Sequence, residues 1–199
     1  MTNDIAGIKK ADVILIIGSD TSEAHPVIAA HIKQAVRLGK TKLIVIDPKR
    51  IKMADYATIY ASMKPGTDVA VINCLMQIII TNNWHDMDFI NKRTEDFELF
   101  KSEVISDQYK PERVSLLSNV PEATLFEIAE LFGKAETASV FYAMGITQHH
   151  TGTDNVMSLS NLQLLCGNFG KEGGGLNPLR GQSNVQGACD MGGLPDVLS

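Results

Sequence analysis

Apolar residues fall in short unbroken runs separated by segments of helical spacing. Residues 12–18 (DVILIIG) and 41–48 (TKLIVIDP) each read as a strand buried on both faces, closed by glycine in one case and Asp-Pro in the other. Between them Val27, Ile28, Ile32, Ala35, Val36 and Leu38 recur at helical spacing, with Pro26 opening the segment and Gly39 following it. Strand, helix and strand of this kind predict a βαβ unit in a parallel sheet covered on both faces. The alternation continues with a strand at 57–62, then a turn and an apolar helix capped by Thr67 or Asp68. Amphipathic helices are predicted at 86–93, 97–104 and 121–132, the last with Pro121 and Glu122 in its first turn. Residues 138–145 (ASVFYAMG) predict a further buried strand and 154–167 a helix; from 168 to 199 the pattern gives way to glycine-rich loop. The whole predicts a doubly wound, mostly parallel α/β fold flanked by helices. Its ligand crevice is expected outside the carboxyl ends of the strands.

Composition narrows the function classes. A chain of 199 residues with 44% hydrophobic and 21% charged residues can bury a real core. Its net charge of −5, from 18 basic and 23 acidic residues without a basic run, gives no footprint for nucleic acid. The apolar runs are too short for a bilayer and the first residues lack a signal-peptide pattern, so a soluble, cytoplasmic chain without membrane contact is expected. Cys74, Cys166 and Cys189 form no C-x-x-C pair, which argues against a disulfide framework and against an iron–sulfur cluster held by this chain alone.

Three predicted strand ends carry polar chemistry: Gly18-Ser-Asp20, Asp47-Pro-Lys49, and the stretch from Met144 and Gly145 to Gln148. An acid closing the second strand can accept both hydroxyls of a ribose, and a helix N-terminus after the first can face phosphate. The G-x-G-x-x-G pattern is absent, and GKEGGG at 170–175 is no Walker loop. Nucleotide binding and ordinary turn chemistry both remain open on these features. Asp68 serves equally as a helix cap or a ligand. Adjacent His149 and His150 read as surface or cleft histidines rather than metal ligands; His25 either faces the crevice or caps a turn. Cys189 lacks a partnering base and reads as a structural thiol. Arg180 is the only cation between Lys171 and residue 199, set among Asn177, Gln182, Asn184 and Gln186. Its planar fork suits a carboxylate or phosphate.

Taken in order, GSDTSEAHP, IDPKR, MKPGTDVAVIN, AMGITQHHTG and NPLRGQSNVQGACDMGGLPD resemble the catalytic α subunit of molybdenum- or tungsten-dependent formate dehydrogenases, of the molybdopterin oxidoreductase family. The resemblance runs from Asp4 to Asp196, and the R-G-Q-x-N-V-Q-G-A-C-D-M-G block is its most specific part. It implies a Rossmann-like domain at 1–176 that cradles one arm of a bis(molybdopterin guanine dinucleotide) cofactor, followed by an active-site loop at 177–199 leading to a neighbouring domain. It implies formate as substrate, with the remaining domains of the subunit and an electron-transfer subunit or carrier as partners. The family's [4Fe-4S] segment and its Sec/Cys-His metal site have no counterpart here, so the chain alone is expected to be an inactive fragment, with no metal ligand of its own and possible lack of bound cofactor.

Residue by residue, the resemblance makes Arg180 the active-site arginine that orients formate's carboxylate or holds developing charge. Gly18, Asp20 and Glu23 match the first dinucleotide loop, Asp47 and Lys49 the second, and Gly66 and Asp68 a further contact at which a carboxylate can read guanine. Met144, Gly145 and Gln148 match the loop nearer the pterin. Asp20 stands where asparagine is common in the family and Lys49 where arginine is, which exchanges a fork for a point charge. Another molybdopterin oxidoreductase such as a nitrate reductase, and a free-standing nucleotide-binding module, are the alternatives.

Overall fold

The computed structural model of the chain describes residues 1–194. After a 3-10 turn at Ala6–Lys10, β1 (Val13–Ile17) leads through a short α1 (Thr21–Ala24) into α2 (Pro26–Arg37), then β2 (Lys42–Ile46). A second 3-10 turn (Lys52–Tyr56) precedes β3 (Ile59–Ala61) and α3 (Asp68–Thr81). Four helices follow: α4 (Met87–Arg93), α5 (Phe97–Val104), α6 (Pro111–Ser118) and α7 (Glu122–Gly133). The chain closes with β4 (Ala138–Tyr142), α8 (Met144–Thr147), α9 (Gly152–Leu165), β5 (Gly175–Pro178) and α10 (Val185–Asp190). The strands form one all-parallel sheet in the order β3-β2-β1-β4-β5.

Period-two alternation divides the strand side chains between two cores. Val13, Leu15 and Ile17 of β1, with Ile44 and Ile46 of β2, pack under α3, α7 and α9. Ile14, Ile16, Leu43 and Val45 point the other way, onto Ala29 and Ile32 of α2 and onto Met53. Strands covered on both faces need no polar positions, which is why their sequence is apolar throughout. Helix α3 buries ten of its residues between sheet and outer helices, so it carries little amphipathic contrast.

Some expectations need correction. Ala29, Ile32 and Ala35 form the contact stripe of α2, whereas Val27 (66% exposed) and Leu38 (63%) lie in its first turn and beyond its end, off that stripe. Helix α6 escapes the pattern because Leu116 and Leu117 face solvent and blur its apolar face. The run at 138–145 stops as a strand at Tyr142 and turns into α8. Thr67 occupies the N-cap position of α3 but donates its hydroxyl to the Lys64 carbonyl (2.7 Å), so it provides no side-chain cap.

The largest correction concerns 168–199, where the pattern predicts only loop. Gly175–Pro178 is a strand that runs across residues 176 and 177, the boundary expected from the sequence. It pairs with Ser139, Val140, Phe141 and Tyr142 through backbone bonds. Buried amides replace an apolar run: Gln163 donates to the carbonyls of Ala138 (3.2 Å) and Gly175 (2.5 Å), and Asn177 donates to the Ser139 hydroxyl (2.8 Å). On its outer side the Leu176 carbonyl accepts from the Thr2 backbone (3.1 Å), and the Leu176 N–H donates to the Thr2 hydroxyl (2.9 Å). Helix α10 is likewise unpredicted; Asn184, in the left-handed region at φ 53°, accepts from the Gly187 N–H at 3.3 Å and caps it. Residues 195–199, which hold the end of the resemblance at Asp196 and of the loop expected at 177–199, lie outside the described residues.

Candidate functional site

The order in which strands are added reverses between β1, whose next strand lies on one side, and β4, whose next strand lies on the other. A crevice opens at such a point because the two following loops diverge. Here its floor is two glycines in contact. The Gly145 N–H donates to the Gly18 carbonyl (3.1 Å), and Gly18 sits at φ +57°, where side chains are strained. A Cβ added at Gly145 would lie 2.6 Å from the Gly18 carbonyl oxygen. Neither position admits a side chain without moving backbone.

A cavity of about 290 Å³ lies above this contact, lined by Gly18, Ser19, Asp20, Asp47, Pro48, Met63, Pro65, Asp68, Gly145 and His149. Three carboxylates therefore face one space. Asp47 ends β2 at 8% exposure and accepts from the Lys49 N–H (2.9 Å). Burial raises its pKa, the nearby Asp20 charge adds to this, and the Lys49 backbone and ammonium oppose it. Asp68, at the first position of α3, is 1% exposed, its Oδ2 has no partner, and burial raises its pKa also, against the charge of His149. One oxygen of Asp20 pairs with the Lys49 ammonium (3.0 Å) and the other is buried without a partner.

The remaining predicted residues sit at the rim or beyond it. Glu23 is exposed and pairs with Lys52 at 2.5 Å, and Gly66 forms the turn into α3 at φ +83°. Met144 and Gln148 are exposed on and after α8, with the Gln148 amide 3.4 Å from the Met144 sulfur. Met144 faces a second cavity of about 320 Å³ on the other side of α8, shared with Tyr142, Thr147, Leu179, Arg180, Gln182 and Val185. Arg180 is exposed there, just beyond β5, while Leu179 is buried and its N–H donates to the Tyr142 carbonyl (2.8 Å). Burial raises the Tyr142 pKa and the Arg180 charge opposes that. The structure thus brings Gly18, Asp20, Asp47, Asp68 and Gly145 into one cavity and Met144 and Arg180 into the next.

Sequence reasoning assigns no site role to Ser19, Met63, Pro65 or Tyr142, although the first three lie in the segments that carry the resemblance. It leaves His25 and His149 open; His149 lies in the first cavity with its Nε2 2.9 Å from the Gly145 carbonyl. Among the described residues no cluster of three His, Cys, Asp or Glu side chains is placed to hold a metal ion. Nor is any helix among them long and apolar enough to cross a membrane.

Comparison with known proteins matches this arrangement to a family. A family model described as molybdopterin oxidoreductase matches residues 1–198. The chain is 51% identical over 198 residues to the F420-dependent formate dehydrogenase subunit alpha of Methanocaldococcus jannaschii, covering 100% of this chain and 29% of that protein. It is 39% identical over 197 residues to formate dehydrogenase H of Escherichia coli, covering 99% of this chain and 27% of that protein. The chain therefore spans under a third of the length of these relatives. The solved structure of acetylene hydratase from Pelobacter acetylenicus is similar with a TM-score of 0.75 at 24% identity, covering 83% of this chain and 24% of that one, a likeness of fold. By the match across its length, the chain belongs to the molybdopterin oxidoreductases, a family that carries a metal-bearing molybdopterin cofactor.

Proposed function

We propose that this chain is the dinucleotide-cradling domain of a formate dehydrogenase catalytic subunit, which oxidises formate to CO₂ with release of a proton and two electrons. The observation that carries it is Arg180, exposed in a cavity that shares α8 with an acid-lined crevice, in a chain about half identical to formate dehydrogenase alpha subunits.

The crevice residues fit the nucleoside part of a bis(molybdopterin guanine dinucleotide). The orphaned Oδ2 of Asp68 and its partner oxygen suit the adjacent N1–H and N2–H donors of guanine, a pair that adenine lacks. Asp47 and the free oxygen of Asp20 suit ribose hydroxyls. The bare Gly18–Gly145 floor lets a ligand approach backbone closely, and Lys49 brings a cation for phosphate to the rim. When bound, the pterin supplies a molybdenum or tungsten ion that accepts the two electrons, with a [4Fe-4S] cluster and a carrier protein downstream in the whole enzyme. Arg180 orients the carboxylate of formate by its two parallel N–H donors and holds the negative charge that develops beside it. Tyr142, Met144 and Val156 line the same cavity and give it an apolar wall beside that contact.

The test uses the full-length subunit with its cofactor. Formate should reduce a redox dye, nitrate should not reoxidise the dye, and Arg180→Ala should abolish formate turnover while metal content stays near normal. Full activity in Arg180→Ala, or a loss only in proportion to lost metal, would overturn the substrate role.

A further inference from the structure

The segment that leaves β1 for the dinucleotide crevice also reaches the arginine cavity, through one side chain. His25 lies between α1 and α2, at the N-cap position of α2 without a side-chain cap bond, two residues after Glu23 and five after Asp20. Its Nε2 lies 2.8 Å from the main-chain carbonyl of Arg180, 155 residues away in sequence. A carbonyl can only accept, so Nε2 carries the hydrogen and the ring is held in that tautomer. The Nδ1 is buried without a partner, so the ring has this one polar tether. Between Leu179, fixed by its bond to Tyr142, and the capped start of α10, the Arg180 carbonyl has this bond, and a Cβ added at Gly181 would meet only the Met144 side chain (3.6 Å) among the described residues.

We infer that His25 is a positioning residue for Arg180: its Nε2–H fixes the Arg180 main chain and so ties the placement of the guanidinium to the loop that carries Asp20 and Glu23. This rests on the formate reading of Arg180 for its consequence, and on the Nε2 contact for its geometry. A ligand that seats against Asp20 orders the α1 loop and, through His25, the arginine across the switch point. Without the tether the guanidinium keeps its charge and loses its fixed origin. The substrate is then bound less well, while the chemistry available to a correctly placed formate is unchanged.

Two experiments test this. In the chain itself, nitrogen NMR of imidazole-labelled histidines should show His25 Nε2 carrying a hydrogen, and His25→Leu should move the amide signals of Arg180 and Gly181. In the full-length subunit with its cofactor, His25→Leu should raise the KM for formate, and the inhibition constant of azide (a triatomic monoanion), about tenfold with kcat little changed, the size expected of one neutral hydrogen bond. His25→Gln, which can present an N–H at similar reach, should recover most of that loss. Unmoved Arg180 and Gly181 signals, or a His25→Leu enzyme with wild-type KM and azide inhibition, would overturn the inference. So would a fall in kcat alone, or a loss that His25→Gln fails to restore. Arg180→Ala separates the two readings. If it keeps full formate oxidation, the role of Arg180 fails; if it is inactive while His25→Leu matches wild type, only the tether fails.

Discussion

On the β1–β2 side of the switch point the site is made of groups the fold has already buried. Asp47 and Asp68 have almost no exposure, Ser19 is buried beside them, and the floor is backbone against backbone. On the β4–β5 side Met144, Gln148 and Arg180 are exposed side chains, and the arginine's main chain is held by few bonds. The first region bears the cost of desolvating carboxylates before any ligand arrives; the second bears almost none. Buried, preset acceptors suit a ligand that stays, and an exposed cation suits a small ligand that comes and goes.

The comparison breaks most sharply at Arg180. In the full-length subunit Arg180→Ala should cost on the order of 10²-fold or more in kcat/KM, and Arg180→Lys an intermediate amount because ammonium cannot reproduce the fork. Equal losses in the two variants, read by steady-state kinetics, would mean that shape rather than charge matters there. Next is the floor. Gly145→Ala places a methyl against the Gly18 carbonyl and should destabilise the chain by about 2–3 kcal/mol in a denaturant titration. An unchanged midpoint would show that the two sides of the switch point can separate freely.

A smaller effect is expected from Asp68 as a guanine reader. The chain should bind GDP about tenfold better than ADP by isothermal titration, and Asp68→Asn should erase the difference. Equal affinities in the wild type would return Asp68 to helix-start chemistry. The smallest effect is on stability. Because burial raises the Asp68 pKa above its usual 3.8, the native chain holds that proton more tightly than the unfolded chain. The favourable contribution is complete below the unfolded value and is lost as pH rises through the raised native one. Asp68→Asn removes that loss, so its stability relative to wild type should improve from acid towards neutral pH, by about 1 kcal/mol. Parallel pH profiles for the two proteins would show that the carboxylate is not held at a cost.

How far the sequence alone leads depends on what stabilises each part. The β1–α2–β2 unit is legible because burial on two faces leaves apolar runs, and Asp47 and Gly18 are legible because they close those runs. Strand β5 is not, since its stabilisation comes from the amides of Gln163 and Asn177, and a buried amide looks like a surface residue in a one-dimensional pattern. Helix α6 hides for the opposite reason, with leucines facing solvent. Asp68 could be read either as cap or ligand, and its unpartnered oxygen is a feature that the sequence does not show. His25 could be placed at a helix start but not paired, because its partner is a carbonyl, which every residue possesses.

The outer strand β5 has one more consequence. A sheet's last strand normally offers a row of free backbone groups to any extended chain that drifts past, which is how folded proteins begin to stick to one another. This one is four residues long, ends in Pro178, which has no N–H to give, and has its Leu176 groups taken by Thr2. The opposite margin, β3, is only three residues long. Neither margin gives another chain much length to extend the sheet, so the glycine-rich segment that leads to Arg180 can stay open to small ligands without recruiting strands from its neighbours.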